Sequence, residues 1–175
     1  MPVIQILADI ALWRRGPRDL PVSGPLLIAV MGLYVTQSAV QSAIATHREV
    51  AVLDGFADLV VTCVVFAAML AIGRRLYRLP QTLLAVLGTE ILLSPLMFVL
   101  VSGVSSSPEG DVFGIMLRVA LILMLVWNLL IVAHILRATF ETSLAVAVLL
   151  AIACVLVSYE FTNLWLGDPV TVPGA

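Results

Sequence analysis

Five stretches of this chain are apolar for long enough to cross a membrane, and nothing else constrains its fold as tightly. They are Pro25–Ala45, Val50–Ile72, Thr82–Gly103, Gly114–Leu136 and Thr142–Thr162. A hydrocarbon core takes roughly 20 residues of helix. Lipid admits only helices or closed barrels as spanning structures, because every backbone polar group must be satisfied internally. The runs are continuous and rich in Leu, Ala and Val, without the in-out alternation of barrel strands. Composition agrees: 62% of the 175 residues are hydrophobic and 11% are charged, where a soluble domain carries about a quarter charged residues. The sequence therefore predicts an all-α, five-transmembrane-helix bundle with no soluble domain. The polar stretches between the runs are too short to fold alone, and no basic surface exists to bind nucleic acid.

A shorter element precedes the first span. In residues 2–15, Val3, Ile6, Leu7, Ile10 and Trp13 fall at three-to-four spacing, with Gln5, Asp9 and Arg14 off that face. This reads as an amphipathic interfacial helix, closed by Trp-Arg-Arg and broken by "GPRDLP". Three regions follow: residues 1–21 as helix and basic link, 22–163 as the five-helix membrane domain, and 164–175 as an outer C-terminal tail. A kink is expected at Ser94-Pro95 within the third span.

The arginines set an orientation. The chain has no lysine, and two clusters, Arg14, Arg15, Arg18 and Arg74, Arg75, Arg78, share an RRxxR pattern followed by Leu-Pro. With the N-terminus inside, these six and Arg137 flank the inner ends, against Arg48 and Arg118 on the outer side. Positive residues mark the cytoplasmic side, so the N-terminus is expected inside and the C-terminus outside. Both clusters read as cytoplasmic anchors and as candidate contacts to anionic lipids. A rival reading takes Arg14–Arg18, the apolar run and Ala43-Ile44-Ala45 as a cleavable leader. That run exceeds the 7–15 residues of an ordinary leader core, so the retained span is preferred.

Ionisable groups inside spans are costly and are functional candidates. Gln41, Asp54, Asp58, Arg118 and Glu160 all fall in the outer halves of their spans, so a polar cluster is expected there. It is either an ion-pair knot, with Arg118 answering Asp58 or Asp54, or a water-filled vestibule. Gln37 and Gln41, like Asp54 and Asp58, are four residues apart and share a face. Deeper lie Glu90 and Asn128, each roughly 12 Å or more from the inner end of its span. They read as a hydrogen-bonded pair or as a buried protonation switch. His134 reads as an interfacial residue and His47 as a solvated one. Cys63 and Cys154 lack a CxxC partner and read as packing residues. Ala147, Ala151, Cys154 and Ser158 form a small-residue face, suited to internal packing or to a dimer seam. No catalytic set, cofactor motif or metal-ligand spacing is legible.

The stretches "RRGPRDLP", "RLPQTLLAVLGT" and "VWNLLIVAHILRATFE" resemble the small bacterial members of the Yip1-like membrane protein family. The resemblance covers the arginine-marked loops and the fourth span. It implies a five-helix bundle with a cytoplasmic N-terminus in a bacterial inner membrane, and no defined reaction. Eukaryotic relatives are linked to trafficking and small GTPases through a long N-terminal region that this chain lacks. The function expected first is a non-enzymatic scaffold or accessory subunit that binds lipid, another membrane protein or a second copy. The alternative is a small ion or solute transporter using the outer polar cluster and Glu90.

Overall fold

The computed structural model describes residues 3–21, 23–46, 51–108 and 110–166. Readings that fall on His47, Arg48, Glu49 and the last nine residues lie outside the described residues. The described chain is helical without strands. Its elements are α1 (Val3–Ala11), α2 (Gly24–Thr46), α3 (Ala51–Ile72), α4 (Leu79–Ser106), α5 (Val112–Phe140) and α6 (Leu144–Leu166). Short 3-10 turns at Pro17–Asp19 and Leu76–Arg78 precede α2 and α4. Five helices are long and apolar enough to cross a membrane. Their outward faces carry large apolar side chains, among them Ile28, Val64, Val99, Leu123 and Leu149. A soluble monomer does not expose so much contiguous apolar surface, so these faces suit lipid.

The spans expected from sequence fall on these helices, with differences at the ends. Thr82–Gly103 and Gly114–Leu136 grow to 28 and 29 residues in α4 and α5. Asp111 explains one start: its side chain accepts the Gly114 N–H and caps α5. Pro95 sits inside α4 without ending it. α6 runs to Leu166, three residues into the segment assigned to the tail.

α1 stops at Ala11, short of the predicted Arg15. Trp13 adopts a left-handed conformation (φ 60°), and the N–H groups of Trp13 and Arg14 return to the carbonyls of Ile10 and Asp9. That is the Schellman ending of a helix. α3 closes in the same way, with Arg74 left-handed and Arg75 N–H on the Leu70 carbonyl. Each arginine cluster therefore begins in a helix-stopping motif.

The core sits at the arginine end. Residues Thr82 to Thr89 of α4 are all buried, and so are Ile131, Val132, Ala133, Ile135, Leu136 and Thr139 of α5. Towards their other ends these helices bury little more than Leu93, Gly114 and Met124. The cause is α1, which packs against α4 and α5 and buries Ile6, Leu7, Ile10 and Ala11. Gly88 makes room for it: a Cβ there would stand 2.7 Å from a Leu7 methyl. Trp127 then donates its indole N–H to the Ala11 carbonyl (3.3 Å), one of the carbonyls orphaned at the end of α1. On the far side of the bundle Ala147, Ala151 and Cys154 of α6 are buried within the chain. The small-residue face is thus used for internal packing.

Candidate functional site

Two polar assemblies stand out, one at the arginine end and one in the middle of the bundle. The first gathers both arginine clusters on one glutamate. Glu141 follows α5 in a left-handed conformation, with φ 54°. Its carboxylate receives Arg75 Nη2 and Arg78 Nη2 at 3.1 Å each, and Arg18 Nη2 as well. Arg75 Nη1 and Arg78 Nη1 also donate to the Thr139 carbonyl, at 3.1 and 2.7 Å. That carbonyl belongs to the last turn of α5, where no intrahelical donor remains. The loops before α2 and α4 are thereby tied to the end of α5. Behind the knot, Thr82 and Thr139 share a buried hydroxyl contact of 3.2 Å. His134 Nε2–H donates to the Arg15 carbonyl (2.8 Å), and Arg15 pairs with Asp9 (3.2 Å).

This placement reassigns the arginines. Arg15, Arg18, Arg75 and Arg78 are engaged within the chain. Arg14, Arg74 and Arg137 are exposed and form no ion pair among the described residues. Beside the knot an open depression of about 500 Å³ is lined by Arg18, Asp19, His134, Arg137 and Glu141.

The three arginine hydrogen bonds hold the Glu141 carboxyl far below its ordinary range, at about 2. A depressed carboxyl pKa contributes stability that is fully present above the unfolded value, about 4.3, and is lost as pH falls through the folded one. The arginine end should therefore loosen between about pH 4.5 and pH 2. Melting temperature followed against pH should show a steeper acid decline in the wild type than in Glu141→Gln. Parallel curves would mean the knot holds nothing.

The second assembly is a polar chamber of about 160 Å³ between α2, α3, α4 and α5. Its polar lining is Tyr34, Gln37, Ser38, Gln41, Asp58, Glu90, Ser94 and Asn128, with Leu93, Met97 and Met124 as apolar wall. Residues 34, 37, 38 and 41 are one polar stripe along α2, at the helical spacing i, i+3, i+4, i+7. Asp58 accepts hydrogen bonds from the Tyr34 hydroxyl (2.8 Å) and from Ser38 (3.2 Å). The Tyr34 ring is buried, and Glu90 lines the same space as the Tyr34–Asp58 pair. Gln41 donates to Ser94 Oγ at 3.1 Å, linking α2 to α4. Among the described residues no basic side chain lines the space.

α2 and α3 can hold this stripe so close because of Gly55. A Cβ there would lie 2.7 Å from the Val35 carbonyl oxygen and 2.9 Å from the Ala39 nitrogen. Backbones approach closely only across such small residues. Asp54, a turn before Asp58, is buried and accepts from Ser42 at 2.8 Å.

The structure brings together part of the predicted outer cluster and breaks it elsewhere. Gln41 and Asp58 line the chamber, and Asp54 lies beside it. Arg118 does not join them. It is exposed on α5, and no ion pair among the described residues links it to Asp58, whose carboxylate is answered by hydroxyls instead. Glu160 is likewise exposed on α6, outside the lining. Glu90 and Asn128 line the same chamber without the expected hydrogen bond between them. Sequence reasoning missed Tyr34 and Glu141. The α2 stripe was the signal for the first. For the second it was a lone glutamate placed directly after a span that ends near both arginine clusters.

Compared with protein-family models, with curated proteins and with solved structures, the chain matches none.

Proposed function

We propose that this chain is a non-enzymatic multi-pass membrane protein that binds and moves a proton or a small cation through the chamber between α2, α3, α4 and α5. One observation carries the reading: Asp58 and Glu90 line one partly open polar space, and among the described residues no basic side chain lines it. Two like charges in a low-dielectric space call for a counter-charge, and a proton or a cation supplies it. The volume leaves room for several waters at about 30 Å³ each. Among the described residues no three His, Cys, Asp or Glu side chains converge as a metal set, which favours a proton or a monovalent cation. The packing supports the same reading, since a dense arginine end leaves the other half of the bundle looser.

The test is flux in proteoliposomes loaded with a pH-sensitive dye, driven by a monovalent cation or pH gradient. Wild-type flux should fall at least tenfold in Glu90→Gln and in Asp58→Asn while folded yield is kept. Absent flux in the wild type, with no saturable cation binding, would overturn the proposal.

The runner-up is the scaffold or accessory subunit that binds lipid or another membrane protein. It draws support from Arg14, Arg74 and Arg137, which remain exposed for anionic head groups at about 1 kcal/mol each near such a surface. The burial of the α6 small-residue face removes one seam for self-association. A cytoplasmic arginine end in a bacterial inner membrane belongs to the proposal too, supported by the arginine bias. A reporter fused at Ala175 should be external, and a cytoplasmic signal would reverse the orientation. Membership of the Yip1-like family rests on the quoted stretches alone.

A further inference from the structure

On its lipid-facing side the bundle carries an apolar groove of about 280 Å³ between α2 and α4. Leu33 and Val40 of α2 and Pro95 and Phe98 of α4 form its walls. Gln37, Gln41 and Ser94 line both this groove and the chamber. The two spaces therefore share a wall, and the Gln41–Ser94 hydrogen bond (3.1 Å) lies across it. A single neutral hydrogen bond is a weak closure. The helix beside it is weakened as well: Pro95 has no N–H to give the carbonyl one turn back, and bends collect at such points.

The juxtaposition has a definite chemistry. An apolar groove that faces the bilayer takes a hydrocarbon chain, and the chamber behind it takes the head of the same molecule. Two carboxylates disfavour a phosphate-bearing head, and among the described residues no basic side chain offers it a cation. The carboxylates suit an ammonium. We infer that the ligand is a phosphate-free cationic amphiphile, a long-chain amine or quaternary ammonium. It enters sideways from the membrane between α2 and α4, with its tail in the groove and its head between Asp58 and Glu90. The inference rests on the cation reading of the chamber and names the substrate class for it.

Binding to the protein in nanodiscs, with empty nanodiscs subtracted, tests it by equilibrium dialysis of three probes. These are tetramethylammonium, dodecyltrimethylammonium and dodecyl sulfate. Dodecyltrimethylammonium should bind saturably and at least ten times more tightly than tetramethylammonium, and dodecyl sulfate should not saturate. Val40→Trp and Leu33→Trp fill the groove from two positions, and each should bring the ratio of the two ammonium affinities towards one. Thermal melting selects the variant that is folded. Glu90→Gln should weaken both ammonium probes at least tenfold. Equal affinity for the two ammonium probes in the wild type would overturn lateral entry and leave the chamber reading standing. No binding of either would overturn the amphiphile inference, with the chamber reading decided separately by flux in proteoliposomes, and saturable dodecyl sulfate binding would overturn the charge argument.

Discussion

Gly55→Ala should destabilise the bundle by about 1–3 kcal/mol, the usual cost of forcing extra atoms into a packed interface. The added Cβ would meet the Val35 carbonyl and the Ala39 nitrogen, and backbone cannot swing aside as a side chain can. α2 and α3 must separate, and the Tyr34–Asp58, Ser38–Asp58 and Ser42–Asp54 hydrogen bonds on either side of the contact lengthen with them. Gly32 on α2 provides the control, since a Cβ there meets nothing within 4 Å. Gly32→Ala should be neutral or stabilising, by up to about 1 kcal/mol of helix propensity. Unfolding of both variants in mixed micelles makes the comparison. Equal stability would show that the two helices do not approach as closely as described.

The second large effect is expected at Ile135, which is fully buried in the arginine-end core. Ile135→Ala removes three carbons where α4 and α5 are both hemmed in by α1, so the cavity cannot collapse. A loss of about 2–5 kcal/mol follows. Leu123 lies on the same helix but is 65% exposed on the outward face. Leu123→Ala should change stability little, because lipid chains flow into the space that the side chain leaves. Similar losses at the two positions would mean that the core is not concentrated at the arginine end.

The helices were legible because a span is written in length and apolarity, which need no neighbour to be read. α1 was legible from Val3, Ile6, Leu7 and Ile10, though its early stop was not: Trp13 carries no sequence mark for a left-handed turn. Polar residues were harder to place, since depth along a helix can be counted but its facing direction depends on what packs there. Glu90, Asn128, Gln41 and Asp58 share one level and one space. Arg118 lies at a suitable depth and points elsewhere, because α5 turns its chamber face at Asn128 and Met124. The arginine clusters were read as anchors, whereas four of the six arginines are bound inside the chain. Glu141, the acceptor of three of these, is distant in sequence from both clusters, and only the return of α5 brings it between them.

The seat of α1 has a consequence for how the protein is made. Leu7 rests on Gly88, roughly 80 residues further along, and synthesis at 5–20 residues per second puts about 4–16 s between them. α1 therefore leaves the ribosome long before α4 and α5 exist to receive it. Its apolar face must wait against the membrane surface while α2 and α3 are inserted. Made before α2 to α5, α1 is seated only after α4 and α5 exist, and its arrival closes the dense half of the bundle.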